Sequence, residues 1–394
     1  MYKISIIVPT FNVEKYIKRC FDSLVRQSIG FSNIQVIFVD DCSYDNTCEI
    51  IDNYAKDYEN VISIHLQENS GAAGKPRNEG MKFAFAEYLL FLDSDDFLMD
   101  NACEVLYNKI IESDVDIVVA GYKKQDWIAY WKSELNESES LIENTKNNVS
   151  ILLNPPGLAA KLFKREFLIK NDITFVEKLP AQDLIFLTES YLKANSILSL
   201  NTFIAFEYCV RQEDNDISIT QNITKKYLYS LLEAYAIIFD LLEEYCIDNR
   251  LKKLYFTKNH FNFLRVQIKQ SNLNENELSA LFSSENFLKI RNQQFVLEDD
   301  ELNKFFSQLI ENPSDVGGKI LQNICKKTRE EFINSKEHIS ETRYIINENK
   351  MPETNEIYSI EKELYSFIKR NAKLYNSAED SKKINRDLLI KYSI

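Results

Sequence analysis

Hydrophobic and polar positions follow two alternating patterns over about the first 120 residues. Short apolar runs, which are typical of buried strands, occur at residues 4–8, 36–39, 61–66, 88–92 and 117–119. The segments between these runs place apolar residues at helical spacing and begin or end in polar clusters. Strands that alternate with helices predict an α/β fold, with a mostly parallel sheet flanked by helices on both faces.

The pattern changes in the second half of the chain. Residues 197–200 and 203–210 predict two more strands. From about residue 224 helical periodicity dominates, as in residues 226–244, and Gly and Pro become rare. We therefore predict two domains, an α/β catalytic domain over residues 1–215 and an α-helical C-terminal domain over residues 216–394.

Composition narrows the class of protein. The chain has 394 residues, 45% of them hydrophobic, and a formal net charge of −13. That charge argues against general nucleic-acid binding. No apolar run approaches the roughly 18–20 residues of a membrane span, and the N-terminus lacks a secretory pattern. Seven cysteines without a CxxC pair indicate reduced thiols and a cytoplasmic protein, and three histidines disfavour a Cys/His zinc site.

Acidic residues follow two of the predicted strands. Asp93 and Asp95 sit in a run of Asp-Ser-Asp-Asp after the apolar residues 88–92, and Asp41 ends the run at 36–39. In such sheets ligands bind at the carboxyl ends of the strands. Two carboxylates in an Asp-x-Asp turn can hold Mg²⁺ or Mn²⁺, although an isolated acidic turn is as typical of a helix cap or a solvated loop.

A loop with phosphate-binding character separates the two acidic sites. It contains Gly71 and Gly74, which permit close backbone approach, and Lys75 and Arg77, which can hold a diphosphate. It matches neither a P-loop nor a dinucleotide fingerprint. A bound diphosphate would therefore be held by side chains and a metal ion.

Four ordered motifs resemble a known family. The segments SIIVPTFN, VIFVDDCS, NSGAAGKPRNEG and YLLFLDSDD are similar to the nucleotide-binding half of family 2 inverting glycosyltransferases, over about residues 3–220. The runs GKPRN at 74–78 and PAQDLIFLTESYLKAN at 180–195 resemble the wall teichoic acid poly(ribitol phosphate) N-acetylglucosaminyltransferases within it. The resemblance implies the Rossmann-like GT-A fold, followed here by the α-helical domain.

The resemblance also implies roles for single residues in the donor site. Pro9 and Phe11 would line the uracil pocket, and Asp41 would accept a hydrogen bond from uracil N3. Lys75 and Arg77 would lie near the nucleotide and its diphosphate.

The same resemblance assigns the metal site, the base and a closing loop. Asp93 would lie near the ribose and the metal, Asp95 would be the principal ligand, and Asp96 is a second candidate. Asp183 would be the catalytic base. Arg211 and Ser218 match a loop that closes over the diphosphate.

The sequence departs from the family pattern beside the base and in the closing loop. Gln182 stands where Glu is usual, and no His occurs in the loop at 211–218. Asp183 begins a predicted helix at about residues 184–194, where the helix dipole favours the ionised carboxylate and is expected to lower its pKa. An ionised carboxylate can take the proton of an attacking hydroxyl.

These features predict a cytoplasmic, metal-dependent inverting glycosyltransferase. The donor would be a UDP-sugar, UDP-N-acetylglucosamine in particular, with Mn²⁺ or Mg²⁺. The acceptor would be a hydroxyl of an anionic surface polymer such as wall teichoic acid. Alternatives are transfer of another hexose to a capsular or lipid-linked glycan, a non-catalytic scaffold, and a nucleotidyltransferase, which should have a Gly-rich N-terminal loop that this chain lacks.

The C-terminal helices have several roles open to them. They can pack on the catalytic domain, bind a polymeric acceptor or form a homo-oligomer. Their mixture of Lys and Glu is typical of a solvated face. A basic patch on them would favour an anionic acceptor or peripheral association with the inner face of the cell membrane.

Overall fold

The architecture comes from a computed structural model that describes residues 2–124, 127–129, 139–143, 158–209, 223–313 and 318–334. All of these residues lie within one compact unit, Met1–Thr342. They form a mixed sheet with helices on both faces and a helical region that follows it.

The strands of the described residues, in chain order, are β1 (Ile4–Thr10), β2 (Ile34–Asp40), β3 (Val61–His65), β4 (Tyr88–Phe91), β5 (Phe97–Leu98), β6 (Ile117–Lys124), β7 (Trp127–Ala129), β8 (Glu139–Glu143), β9 (Lys161–Lys164) and β10 (Ser196–Tyr208). Their spatial order is β3-β2-β1-β4-β9-β6-β10-β5, with β7 paired to β6 and β8 to β10. The first four strands of this order are parallel. β9 lies between β4 and β6 and is antiparallel to both, so the sheet is mixed.

The helices that flank the sheet are α1 (Ile17–Val25), α2 (Thr47–Asp57), α3 (Gly74–Lys82), α4 (Ala102–Ser113), α5 (Arg165–Lys170) and α6 (Gln182–Lys193). The helical region contains α7 (Lys225–Glu244), α8 (Asn249–Tyr255), a π-helical turn (Phe256–His260), α9 (Phe261–Gln270), α10 (Glu275–Phe282), α11 (Glu285–Arg291), α12 (Gln294–Leu297), α13 (Asp300–Glu311) and α14 (Gly318–Asn334). The predicted α/β class and the helical C-terminal region are both confirmed.

Side chains on successive strand positions point to opposite faces, and each face has its own core. Ile6 and Val8 of β1 pack with residues of α1, α2 and α4. Ile7, between them, packs into a second core that includes α5, α6 and the helical region. Because both faces of β1 are covered, its residues are nearly all apolar, with Ser5 and Thr10 as the exceptions.

One local prediction differs from the structure. The two predicted strands at residues 197–200 and 203–210 form the single strand β10, whose pairing with β6 shifts register between Ser199 and Ile204. The interruption in the apolar pattern therefore marks an irregularity in the strand, not its end.

The helical region shares its core with the sheet. Leu228, Leu231 and Tyr235 of α7 belong to the same buried cluster as Ile185 and Phe186 of α6. The predicted domain boundary at residues 215/216 lies outside the described residues, so it stays a prediction. Within the described part of the chain, no helix is long and apolar enough to cross a membrane.

Candidate active site

The carboxyl end of β2 holds two aspartates with different environments. Asp40 is buried, and its oxygens accept hydrogen bonds from Thr10 Oγ1 (3.1 Å), from the backbone N–H of Ser43 (2.8 Å) and from the Ser43 hydroxyl. Asp40 therefore fixes the loop that follows β2. Asp41 is buried as well, but it faces the next loop, so it is the residue available to a ligand.

Asp41 accepts hydrogen bonds from the loop that precedes α3. Its carboxylate accepts from the backbone N–H (2.9 Å) and hydroxyl (3.0 Å) of Ser70 and from Asn69 Nδ2 (3.1 Å). Two carboxylate oxygens offer about four acceptor positions. Burial raises the pKa of Asp41, and the Ser70 hydrogen bonds oppose that shift. The backbone N–H of Gly71 acts in the same direction, so the role that the resemblance implies for Asp41, accepting from an imide N–H, stays a prediction.

Two aromatic rings stand exposed next to these aspartates. Phe11 is 40% exposed, and Tyr44 is 86% exposed. Their centroids lie 6.0 Å apart in an edge-to-face arrangement. Pro9 is buried in β1 beside Val39 of β2, so it lies within the sheet close to its carboxyl edge. An exposed ring pair of this kind can stack against a planar base.

Glycines set the position of α3 and of the loop before it. A Cβ on Gly80 would lie 2.5 Å from Ile7 Cγ2, and one on Gly74 would lie 2.4 Å from the carbonyl oxygen of Val176. Gly71 has φ +82°, a conformation that favours glycine. Because α3 packs this tightly on β1, Lys75 and Arg77 in its first turn are held near the carboxyl ends of the strands.

Arg77 joins the acidic turn, which we define as residues 93–96, to the predicted base. Its guanidinium pairs through Nη2 with Asp93 Oδ1 and lies over the ring of Phe175, with Cζ 5.3 Å from the centroid. Its positive charge also acts on Asp183 of α6. Nε and Nη1 of this guanidinium are buried and have no hydrogen-bond partner among the described residues. Lys75, by contrast, lies 3.9 Å from Glu68 Oε1.

The pKa of Asp183 is raised to about 6, mainly by burial. The nearby charge of Arg77 lowers the pKa, that of Asp93 raises it, and the backbone N–H groups of Asp183 and Leu184 lower it. The sequence-based expectation of a lowered pKa is therefore wrong, because it counted the helix start and not the burial. A carboxylate with a pKa near 6 is ionised at neutral pH and still a useful base.

An aromatic cluster connects the base to the acidic turn. Phe186 lies one turn after Asp183 in α6 and stacks on Phe175, with centroids 3.9 Å apart and planes at 5°. Phe186 also packs edge-on against Phe91 (5.5 Å) and Phe163 (5.6 Å). Phe91 stands two positions before Asp93, the first residue of the acidic turn. The relative positions of base and acidic turn therefore depend on the packing of these rings.

The acidic turn supplies the oxygen atoms expected of a Mg²⁺ or Mn²⁺ site. Asp93 and Asp95 are partly exposed, whereas Asp96 is buried and accepts from the backbone N–H of Cys209 (2.8 Å). Burial raises the pKa of Asp96 first, and the charges of Asp95 and Asp93 add to the shift. Carboxylate oxygens on one turn fit a hard divalent cation, with Asp95 and Asp93 as the accessible donors.

The last described residue before the predicted closing loop contacts the acidic turn. Cys209, which is bound to Asp96, also accepts a hydrogen bond from the Arg19 guanidinium. Arg211 and Ser218 follow Cys209 closely but lie outside the described residues. Their role over the diphosphate stays a prediction.

Gln182 is buried beside the base. Its Oε1 has no hydrogen-bond partner among the described residues. A carboxylate at this buried position would add a second negative charge next to Asp183 and would raise its pKa further. The amide avoids that charge.

Three side chains that the sequence did not single out face the predicted base or the nucleotide end of the sheet. Tyr44 forms the aromatic pair with Phe11. Lys161 of β9 is fully buried and lies in the electrostatic range of Asp183; burial lowers the pKa of Lys161 to about 7. Tyr227 of α7 is buried, and burial followed by the charge of Asp183 raises its pKa. These contacts arise from packing between distant segments and leave no local sequence pattern.

One mixed cluster outside the acidic turn also has metal-ligand chemistry. Asp40, Cys48 and His65 place one ligand atom each within 4.8 Å of one another. Each atom is already engaged: Cys48 Sγ donates to Asp40 (3.1 Å), and His65 Nε2 pairs with Asp52 (2.8 Å). Burial raises the pKa of Cys48 to about 12, which disfavours the thiolate that a metal requires. The cluster is best explained as a hydrogen-bonded link between β2, β3 and α2.

Comparisons with known proteins identify several relatives of this chain. The model of glycosyl transferase family 2 matches residues 5–169. The poly(ribitol-phosphate) beta-glucosyltransferase of Bacillus spizizenii is 34% identical over 269 residues, which cover 67% of this chain and 41% of that protein. The poly(ribitol-phosphate) beta-N-acetylglucosaminyltransferase TarP of Staphylococcus aureus is 30% identical over 251 residues, 61% of this chain and 73% of TarP.

A solved structure shares the fold. Residues 1–349 of S. aureus TarS, solved in complex with UDP-GlcNAc, superpose with a TM-score of 0.63 at 24% identity, covering 84% of this chain and 92% of that one. This similarity identifies the fold as GT-A. The matched segment spans 41% of the B. spizizenii enzyme and 45% of S. aureus TarS, so this chain covers less than half of the length of these relatives. The chain belongs to glycosyl transferase family 2.

Proposed function

We propose that this protein is an inverting glycosyltransferase that moves a sugar, N-acetylglucosamine in the first instance, from a UDP-sugar to a hydroxyl of an anionic surface polymer such as poly(ribitol phosphate). One observation carries the proposal. Arg77 pairs with Asp93 of the acidic turn and acts electrostatically on Asp183, so a diphosphate-binding cation, the acidic turn and a base share one site. Relatives whose names specify poly(ribitol phosphate) as the acceptor support the acceptor class.

The donor would be bound at its nucleotide end by the carboxyl edge of the sheet. Phe11 and Tyr44 offer ring faces to the uracil, and Asp41 accepts from its N3–H group. The buried Nε and Nη1 of Arg77 have N–H groups that still need acceptors, and diphosphate oxygens would supply them. Arg211 and Ser218 would complete this contact.

The transfer is a single displacement, in which one bond to the anomeric carbon forms as another breaks. The acceptor oxygen forms a bond to the anomeric carbon while its proton passes to the Asp183 carboxylate. The bond between the anomeric carbon and the diphosphate oxygen breaks, and UDP leaves with the electron pair on the face opposite to attack. When bound by Asp95 and Asp93, Mg²⁺ or Mn²⁺ supplies charge neutralisation for the leaving diphosphate.

The proposal is tested by separating donor binding from transfer. Wild type should be stabilised by UDP and by UDP-N-acetylglucosamine in the presence of Mn²⁺, by roughly 2.7 kcal/mol at 100 times the dissociation constant. Asp95→Asn should lose the metal-dependent part of this shift. Asp183→Asn should keep the shift and lose transfer to poly(ribitol phosphate). UDP-glucose is the matched second donor, because one relative is named a glucosyltransferase.

The opposing results are distinct. Binding of UDP-sugars without transfer to any polymer, in wild type as in Asp183→Asn, would favour a non-catalytic scaffold. Transfer only to capsular or lipid-linked acceptors would retain the reaction and replace the acceptor. No stabilisation by any uridine nucleotide would overturn the donor assignment. A cytoplasmic location, association with the inner face of the membrane and an oligomer built by the C-terminal helices stay predictions.

A further inference from the structure

A lysine from the helical region reaches the loop that precedes α3. A Cβ on Gly71 would stand 3.7 Å from Nζ of Lys226, the second residue of α7. Lys226 is far from Gly71 in sequence and is exposed. Within the described part of the chain, no carboxylate pairs with its ammonium group. The ammonium group therefore lies directly beside this loop.

The start of α3, which follows this loop, also carries positive charge. Arg77 has two buried nitrogens without hydrogen-bond partners among the described residues. Nζ of Lys75 lies 3.9 Å from Oε1 of the exposed Glu68. Cations that converge from two elements repel one another unless an anion lies between them. Buried guanidinium N–H groups that lack acceptors are costly, and phosphate oxygens are strong acceptors for them.

The first turn of α7 is held firmly enough to present this lysine. Thr224 caps the helix by accepting from the backbone N–H of Tyr227 (3.1 Å). Tyr227 and Leu228 are buried in the core shared with α6. The positive end of the helix dipole lies at the same turn and adds to the attraction for an anion. The turn thus borders both the phosphate loop, through Lys226, and the base, through Tyr227.

We propose that Lys226 is a phosphate-binding residue of the active site, which acts beside Gly71 in the loop that leads into α3 and Arg77. The ligand is a phosphate oxyanion, either the diphosphate of the donor or a phosphodiester of the polymeric acceptor. The identity of these two molecules rests on the proposed function. The choice of Lys226 rests on its position beside Gly71.

The test compares Lys226→Gln with Lys225→Gln in the full chain. Lys225 is the adjacent exposed residue of the same turn, so both variants lose one charge from the same helix end. The probes are pyrophosphate, UDP and uridine, measured by calorimetry at fixed ionic strength. If the donor diphosphate is the ligand, Lys226→Gln weakens UDP and pyrophosphate about tenfold, leaves uridine unchanged, and is rescued by Lys226→Arg. Lys225→Gln stays within about twofold of wild type.

A second arm distinguishes the acceptor. If UDP and pyrophosphate bind Lys226→Gln normally but the KM for poly(ribitol phosphate) rises about tenfold, the phosphodiester is the ligand. Equal effects of the two glutamine variants in every assay would overturn the role of Lys226 while leaving the proposed function intact. Failure of wild type to bind UDP, with pyrophosphate affinity unaffected by Lys226→Gln, would overturn both.

Discussion

Charge at the active site is balanced around a single guanidinium. Arg77 pairs with Asp93, and its charge lowers the pKa of Asp183 against the larger effect of burial. Two carboxylates on different elements thus depend on one cation. The rare amide at Gln182 fits this balance, because it avoids adding a negative charge beside the base.

The base should therefore set the acidic limit of activity. With a pKa of about 6, Asp183 becomes protonated below that pH, so kcat should fall close to tenfold per pH unit. Arg77→Met removes a charge that lowers this pKa. The acidic limb of the profile of kcat against pH should therefore move to higher pH by about one unit. Arg77→Lys should keep the limb nearer its wild-type position. The measurement is kcat at saturating donor and acceptor between about pH 5 and 8.

This prediction has a clear opposite. An acidic limb that lies below pH 5 in wild type would mean that Asp183 is not the titrating base. A limb that stays in place in Arg77→Met would mean that the two groups do not interact.

Site residues differ in how far the sequence reveals them. Asp41, Asp93 and Asp183 follow strands or begin a helix, so local patterns are enough to place them at the carboxyl edge of the sheet. Lys161 and Lys226 reach the site only because distant elements pack together. A buried lysine at the end of a short strand and an exposed lysine in a first helical turn look ordinary in sequence.

At the scale of elements, the site depends on the contact between α6 and the sheet. The ring of Phe186 touches Phe175, Phe91 and Phe163, and these residues lead to Arg77 and to the acidic turn. A displacement of α6 would move Asp183, the proposed base, relative to the acidic turn. Catalysis is sensitive to shifts of about 1 Å, which can cost on the order of a hundredfold in rate.

Phe186→Leu should therefore reduce the rate more than its loss of stability would suggest. The smaller side chain should cost about 1–2 kcal/mol of unfolding free energy and lower kcat roughly tenfold, since α6 loses its stacking partner. Phe305→Leu is the matched control, because Phe305 is fully buried in the helical region and packs on Phe261 and Phe306. Denaturant unfolding and kcat are measured for both variants. If Phe186→Leu and Phe305→Leu lose the same unfolding free energy and have the same kcat, the proposed link between α6 and the acidic turn is contradicted.

The sequence predicts the parallel strands better than the strands that make the sheet mixed. β1, β2, β3 and β4 are apolar runs bounded by polar clusters, which the hydrophobic pattern identifies directly. β9 is short and has lysines at both ends, so no pattern marks it as a central strand. Its place between β4 and β6 follows from long-range pairing that only the folded chain shows.

At the scale of the whole molecule, one core spans the sheet and the helical region. Ile7 of β1 and Leu309 of α13 belong to the same buried cluster. Helical periodicity predicts the helices themselves, but not which face of the sheet they pack against. This shared core also encloses polar side chains, and one of them, His260, belongs to the π-helical turn.

His260 should make the fold sensitive to acid. It is buried among the rings of Tyr235, Tyr255 and Phe256, and burial lowers its pKa to about 3. Between pH 6.5 and 3 the unfolded chain binds this proton and the folded chain does not. The free energy of unfolding should therefore fall by about 1.4 kcal/mol for each pH unit below 6.5, in addition to the effects of other groups.

His260→Phe keeps a ring in this position and removes the titrating nitrogens, so its stability should decline less steeply with acid than that of wild type. Over two pH units the difference should reach about 2–3 kcal/mol. His65→Gln is the control, since it deletes a histidine from the exposed pair with Asp52. Urea unfolding at several pH values between about 4.5 and 7 measures all three proteins. Parallel curves for wild type and His260→Phe would show that His260 is protonated in the folded state, and that the turn opens to water where the structure shows it closed.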